Sequence, residues 1–339
     1  MKPRFKAIVD GLEMVPSFFS LTRAGYQVPD TSIITVENTD CKMNKPFFDY
    51  LPSRVLLYYR DEVLPELSNW MKIFDGLADL KNPKLYNNQS TYTFECRSLL
   101  CLLDDDWTHK WENTYLKQVI NDLVSKYFTL DFQGENFYIG DHLMENKSRL
   151  EEVNEFADLF GYITFLKPDG KTFYFGPYEK GKQWIYQFLN NYPRTQDLIN
   201  ANLMDLDIKH MTGMFPYAHV VVEKKSEDKV LFQGKATSSI PRATGNSKIY
   251  NVDHKYLTSN AMAQSLAEYI LWKMERQYIT VDFETYNIPF LEPEHVLELT
   301  NLQAYDGFYW IKSVTTTMME DTCTSRICCH SRNPKERFS

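Results

Sequence analysis

The chain has 339 residues, with 37 Lys and Arg against 45 Asp and Glu, a formal net charge of −8 at pH 7. That length admits two or three domains with a sizeable core and excludes a disulfide-stapled mini-protein. A hydrophobic share of 43% and a charged share of 24% are ordinary for a globular chain and exclude wholesale disorder. The departure from the average is aromatic: 22 Phe, 22 Tyr and 6 Trp, 15% of the chain, against only 13 Gly. Many rings and few glycines suit β-structure and large interfaces, and suit glycine-rich nucleotide loops poorly. The acidic balance, without a basic stripe interleaved with aromatics, argues against a nucleic-acid reader. Apolar runs such as Leu99 to Leu103 and Val55 to Tyr59 fall far short of the roughly 18 residues that span a bilayer, so no membrane insertion is expected. The opening MKPRFKAIVDGLEM has basic residues with no apolar stretch behind them, so no signal peptide is expected and folding is expected in the cytoplasm.

Residues 1–105 read as a first β domain. ITVENT, VLLYYRDEVLP and TYTFECR show strand chemistry, the last alternating Tyr92, Phe94 and Cys96 against Thr93 and Glu95. The loop CKMNKPFFDYLPSR sets Phe47, Phe48 and Tyr50 between Pro46 and Pro52, and these three aromatics are the candidate contact residues. Folding back onto their own domain is the competing reading.

From 106 to 200 the period changes, and a mixed α/β module is expected. Leu116, Val119, Ile120, Leu123, Val124 and Tyr127 recur at helical spacing and predict a helix over 114–127. Ser148 with Glu151 forms a capping box that starts a second helix, which ends at Gly161. YITFLKPDGKTFYF predicts a hairpin around Pro168, Asp169 and Gly170, and GKQWIYQFLNNYP a short third helix stopped by Pro193.

Residues 201–330 return to β chemistry. YAHVVVEKKSEDKVLFQG reads as a hairpin with a charged tip, and YITVDFETY and FYWIKSVTTTM as strands. A long helix over 259–276 carries Met262, Ala263, Leu266, Ile270 and Met274, and 331–339 reads as a loose tail. The expected class is α+β, mostly β, with two β-barrel or sandwich domains flanking the module.

Candidate chemistry is sparse. Asp104, Asp105 and Asp106 compose either a magnesium site or a solvated acidic run, and no partner carboxylate motif follows them. Asp205, Asp207 and His210 make a loose cluster, and His219 sits on a strand where a structural histidine is the simpler reading. Cys96 with Cys101 and Cys323 with Cys328 share one spacing. It is not the two-residue gap usual in zinc sites, so reduced, buried thiols are expected and no metal or other cofactor. G-x-S-x-G, G-x-x-x-x-G-K-[ST] and H-E-x-x-H are all missing from the sequence. The balance moves toward a structural protein and away from an enzyme.

The order of segments is more specific than any one of them. VLLYYRDEVLP, the F-x-G element in KIFDGLADL, TYTFECRSLLCLLDDD and WENTYLKQVINDLVSKY are followed by EEVNEFADLFGYITFLKPDGKTFYFGP, with its helix, glycine and D-G hairpin. YAHVVVEKK, NAMAQSLAEYILWKMERQYITVDFETY and DGFYWIKSVTTTM complete the series. This order resembles the baseplate hub family of contractile phage tails and tail-like bacteriocins, of the late control gene D and PBSX-like prophage types, over roughly residues 1–330. One departure is LEPEHVLELTNL, which lacks the glycine of the family's usual proline-glycine pair. The resemblance implies tail-tube-like β domains at 1–105 and 201–330 and a homotrimer whose pseudo-six-fold ring adapts a six-fold tail tube to a three-fold central spike. It implies as partners the spike, the tail tube or tube-initiator protein, the tape-measure protein and the baseplate wedge proteins, with DNA at most passing through the lumen. The particle would be assembled in the bacterial cytoplasm. The competing readings are a particle-associated cell-wall hydrolase using paired carboxylates and a carbohydrate-binding β protein whose aromatics stack on sugars.

Overall fold

The computed structural model describes residues 4–39, 42, 44, 47, 51–60, 69–85, 90–178, 183–189, 203–210, 217–226, 229–238, 248–286, 288, 291–319 and 322–331. It is mostly β, with three α-helices among the described residues. The first seven strands are β1 (Arg4–Val9), β2 (Leu12–Met14), β3 (Pro16–Arg23), β4 (Thr31–Glu37), β5 (Ser53–Arg60), β6 (Met71–Leu85) and β7 (Ser90–Ser98). They pair antiparallel in the order β3-β4-β7-β6-β5-β1-β2. Alternation sets their faces: β5, SRVLLYYR, buries Val55, Leu57 and Tyr59 and turns Arg54, Leu56 and Tyr58 outward. The sheet rolls until its far strands touch, with the Phe5 ring of β1 4.7 Å from Phe19 of β3. It does not close into the expected barrel among the described residues. The free side of β3 pairs instead with a strand from the end of the chain.

Past a 3-10 turn at Leu99–Leu103 come β8 (Asp106–Tyr115), α1 (Leu116–Val124), β9 (Thr129–Phe132), β10 (Tyr138–Ser148), α2 (Arg149–Phe160), β11 (Tyr162–Leu166) and β12 (Thr172–Pro177). The helix expected from 114 starts later because β8 runs on to Tyr115, paired with Tyr138. Both bonds of the capping box at Ser148 and Glu151 form, and Gly161 ends α2 at φ +69°, a conformation that disfavours a side chain. The hairpin turn is held by Asp169, whose carboxylate accepts from the Lys171 and Thr172 amides and the Thr172 hydroxyl, bonds that draw its pKa down to about 2. Leu116, Val119, Ile120 and Leu123 of α1 meet Phe156, Ala157 and Phe160 of α2 and Phe173 and Phe175 of β12 in one core.

The remaining elements are β13 (Gln183–Leu189), β14 (Leu206–His210), β15 (His219–Ser226), β16 (Lys229–Thr237), β17 (Ile249–Asp253), α3 (Asn260–Glu275), β18 (Ile279–Tyr286), β19 (Val296–Thr300), β20 (Gly307–Met319) and β21 (Thr322–Ser331). The expected third helix is therefore a strand: β13 pairs parallel with β19. WIYQF is rich in β-branched and aromatic residues, and the open side of β19 offers its backbone a ladder that overrides a weak helical period. The other strands form β14-β18-β21-β20, which continues through β20 into β3. Within 201–330, β16-β15-β17 and α3 make a separate unit with its own core of Val220, Val222, Ala236, Leu257, Ala263 and Leu266. Residues 332–339 of the expected tail lie outside the described residues.

β20 joins the two halves. Tyr309, Ile311 and Val314 enter the second β core, whereas Met318, farther along the strand, enters the first. Arg23 braces the junction from inside, its guanidinium donating to the Leu291 carbonyl at 2.9 Å and the Ile73 carbonyl at 3.0 Å. The 217–275 unit is tied to the module by His254, fully buried, whose Nε2 donates to the Leu159 carbonyl at 2.7 Å while Nδ1 accepts from the Tyr256 amide.

Two buried histidines set an acid response. Burial holds the His254 pKa below its ordinary 6.5, and burial with Arg276 nearby takes His330 down to about 4. The unfolded chain takes up protons near pH 6.5 and the folded one does not, so stability is full above that pH and falls as pH drops. The loss is up to about 1.4 kcal/mol per pH unit for each histidine. Asp30 acts in the opposite sense: burial raises it from 3.8 to about 6, so the folded state gains its proton first and is favoured as pH falls through that window. Urea unfolding at pH 7, 6 and 5 should show a net loss of stability toward acid, flattened in His330→Asn and steepened in Asp30→Asn.

Candidate assembly surface

Of the expected contact residues, Phe47 turns inward. Its ring lies 5.1 Å from Phe94 and 5.7 Å from Tyr92, and it is 3% exposed, so this end of the loop is anchored in the first β core. Phe48 and Tyr50 lie outside the described residues. Phe47→Ala should cost about 3–5 kcal/mol, read as a lower denaturation midpoint at unchanged m-value.

Several members of the other candidate clusters are engaged within the chain. Asp104 pairs with Arg97, and Asp105 with Arg149 at 3.1 Å and Lys126 at 3.0 Å. Asp207 lies 3.3 Å from Lys209, Asp205 lies 4.0 Å from Arg326, and His219 Nδ1 shares a 3.0 Å hydrogen bond with Thr237. Cys96 and Cys329 are buried in separate cores, and burial pushes the Cys101 thiol up to about 11 and that of Cys323 to about 12. Among the described residues, no three His, Cys, Asp or Glu side chains stand where they could hold one metal ion. No helix among them is long and apolar enough to cross a membrane.

The feature that stands out is the outward side of the joined sheet. Four strands from each half, β14-β18-β21-β20 and β3-β4-β7-β6, lie side by side without interruption. Registers carry single rows across the seam. Tyr286, Thr324, Thr317, Ser20, Ile33, Glu95 and Leu80 are successive neighbours on seven strands. The adjacent row runs Glu284, Arg326, Thr315, Thr22, Thr31, Arg97 and Leu77. Cross-strand hydroxyls bond each other, Thr22 with Thr315 at 3.1 Å and Thr35 with Thr93 at 3.0 Å. The guanidinium groups on this side are held by carboxylates, Arg326 by Asp282 at 2.7 Å and Arg97 by Asp79 at 2.6 Å. The surface is thus broad, hydroxyl-rich and weakly charged, with Glu284 and Glu95 adding negative charge. It was hidden in the sequence because its seam joins residues nearly 300 positions apart; the one local trace was threonine at outward positions of TYT and SVTTTM.

No family model matches the chain, and a comparison with curated proteins finds no relative. Solved structures do match over the full length. One is the tail protein from Neisseria meningitidis MC58, with a TM-score of 0.72, 11% identity, and 98% of this chain covering 97% of that one. Another is the 43 kDa tail protein of prophage MuSo2 from Shewanella oneidensis, with a TM-score of 0.69, 10% identity, and coverage of 96% and 98%. The chain shares the fold of these two tail proteins. An Escherichia coli component of the type VI secretion system, described as similar in structure to the T4 tail proteins gp27 and gp5, matches at a TM-score of 0.58 and 10% identity, over 97% of this chain and 78% of that one.

Proposed function

We propose that this chain is the structural baseplate hub of a contractile injection particle, a homotrimeric ring between a six-fold tail tube and a three-fold central spike. The observation that carries the reading is the fusion of two β halves into one sheet, each half giving four strands to a common polar face. Three copies of a chain with two equivalent halves present six similar units, which is how a three-fold assembly matches a six-fold one. The ends of the shared face suit ring closure: among the described residues β14 ends the sheet and β6 beyond Ala78 is paired with β7 alone, so β14 of one copy would extend β6 of the next. The hydroxyl-rich, acid-leaning face then lines the lumen, where it would let DNA pass without adhering.

In this reading the tube-like units are 1–105 and the sheet strands of 201–330, and 106–200 is the intervening module. Partners are the spike, the tube or its initiator, the tape-measure protein and the wedges, with assembly in the bacterial cytoplasm. Any contact role of the aromatic loop falls to Phe48 and Tyr50, because Phe47 is committed to the core.

Sedimentation or native mass spectrometry, alone and with the spike protein, should give a closed particle of about 120 kDa, three times the 40.0 kDa chain, plus bound spike. Phe48→Ser with Tyr50→Ser should weaken assembly and leave monomer stability unchanged. A persistent monomer in both settings would refute the hub reading.

A further inference from the structure

The two edges of the sheet β16-β15-β17 are treated differently. On β16, Asn260 and Gln264 of α3 accept from the Gln233 and Lys235 amides at 2.9 and 3.0 Å, which closes that side. On β17 no such cap stands among the described residues, and the strand pairs with β15 alone, in parallel, from Ile249 to Asp253. Bonds at its two ends fix which backbone groups are left over. The Lys248 carbonyl accepts from the Ala218 amide and the His254 amide donates to the Glu223 carbonyl, so the even-numbered residues address β15. Backbone groups alternate along a strand, so the amides and carbonyls of Ile249, Asn251 and Asp253 face the open edge. These three residues are exposed, and IYNVD holds no proline or lysine to blunt the edge.

Beside this edge lies a cleft of ≈ 870 Å³ between β17, α2 and α3. Tyr250 and Val252 of β17 line it, with Phe156 and Leu159 of α2 and Ile270 and Met274 of α3 on the other walls. A strand laid along β17 turns every second side chain to that side. The α2 carboxylates in the cleft have cations beside them: Glu155 pairs with Lys147 at 2.5 Å, Asp158 with Lys273 at 2.7 Å, and Glu152 lies 2.5 Å from His142 Nε2 and 3.7 Å from Lys147. Lys248 and Lys255 flank β17, are exposed, and pair with no carboxylate among the described residues. Lys255 lines the cleft, with its ammonium 4.7 Å from the Tyr256 ring centre.

We infer that β17 takes up an extended segment of a partner protein as a fourth strand, with apolar residues turned to the cleft and acidic residues at both ends. The open backbone groups of Ile249, Asn251 and Asp253 supply the ladder, the cleft takes alternate side chains, and Lys248 and Lys255 meet the carboxylates. Backbone pairing gives such a site its affinity, and the alternate side chains and end charges give it its selectivity. A helix or a small ligand in the cleft leaves the three outward amides unpaired.

The probe is the end-blocked, labelled peptide Glu-Thr-Val-Thr-Val-Thr-Glu, titrated into the full chain by fluorescence anisotropy; acids at both ends serve either strand direction. Saturation with a Kd of about 0.1 mM or tighter is expected, with Lys-Thr-Val-Thr-Val-Thr-Lys at least about tenfold weaker. Lys255→Glu should weaken the acidic peptide about tenfold and tighten the basic one. One further peptide is N-methylated at its threonines and another at its valines; only one set of amides faces β17, so one of the two should bind about tenfold more weakly than the other. Hydrogen exchange at Ile249, Asn251 and Asp253 should slow on saturation, while Tyr250 and Val252, already bonded to β15, stay unchanged. Asn251→Pro removes one outward donor at an edge position that tolerates proline, so the unfolding midpoint should hold while binding is lost. Absence of saturation, equal affinity for the acidic and basic peptides, equal affinity of the two N-methylated peptides, or undiminished binding by a folded Asn251→Pro chain would overturn the assignment. Slowed exchange at the same three amides in the chain alone as its concentration rises would overturn it too, by giving the edge to a second copy.

Discussion

Gly234→Ala should destabilise the 217–275 unit by about 3 kcal/mol or more and release α3 from its sheet. A methyl group at this position of β16 would lie 2.2 Å from the Ala263 carbonyl carbon and the Gln264 amide nitrogen, both backbone atoms that no rotamer change can move. The close approach has a purpose. It brings α3 near enough for Asn260 Oδ1 and Gln264 Oε1 to accept from the Gln233 and Lys235 amides, at 2.9 and 3.0 Å, which caps the open side of β16. Forcing the two apart breaks both bonds and opens the core of Val220, Ala263 and Leu266. Denaturant unfolding followed by tryptophan fluorescence would report it through Trp272 on α3. Gly76 in the F-x-G element should behave alike, since a Cβ there would stand 2.2 Å from the Arg97 carbonyl oxygen and 2.6 Å from the Phe74 ring. The F-x-G signal thus marks where β6 crosses β7 too closely for any side chain. A stability loss under 1 kcal/mol in either variant would show that the strand shifts freely and that the glycine is not required.

Breaking the Arg276 to Glu294 pair from one side should cost about 3–5 kcal/mol, and removing both charges should cost much less. The pair is 2.8 Å apart with the side chains only 12% and 10% exposed. The guanidinium lies 4.5 Å from the Trp272 ring centre and 5.4 Å from that of Trp310, and Tyr178 donates its hydroxyl to the same Glu294 oxygen at 2.8 Å. Three parts of the chain meet here: the end of the module through Tyr178, the α3 unit through Trp272 and Arg276, and the second β half through Glu294 and through Trp310 of β20. Arg276 Nε is buried without a hydrogen-bond partner among the described residues, so the ion pair and the rings are its main compensation. Arg276→Met and Glu294→Gln, measured singly and together, form the cycle. A coupling energy above about 2 kcal/mol is expected, and strict additivity would refute the cooperative junction.

Elements whose signals lie within a few residues were readable in advance. The α2 helix was bounded by Ser148, Glu151 and Gly161 because caps act through contacts three or four positions away. The turn at Asp169 and Gly170 and the alternation of β7 and β18 were legible for the same reason. β13 was misread as a helix because Ile185, Phe188 and Leu189 fall at helical spacing, and the ladder offered by β19 overrides that local signal. The separate core at 217–275 was likewise invisible, since nothing local shows that Val220 and Ala263 face each other rather than the large sheet.

The candidate surface divides along the same line. The sequence by itself determined an acidic, aromatic-rich, mostly β chain and the segment order that resembles tail hubs. The tertiary structure alone decided that Phe47 is a core residue, that β3 and β20 join two halves into one sheet, and that α2 and α3 enclose a tyrosine-lined cleft. Periodicity reports which side of an element is apolar, because that follows from local geometry. It does not report which distant element covers that side, because strand pairing and core sharing depend on contacts between residues hundreds of positions apart.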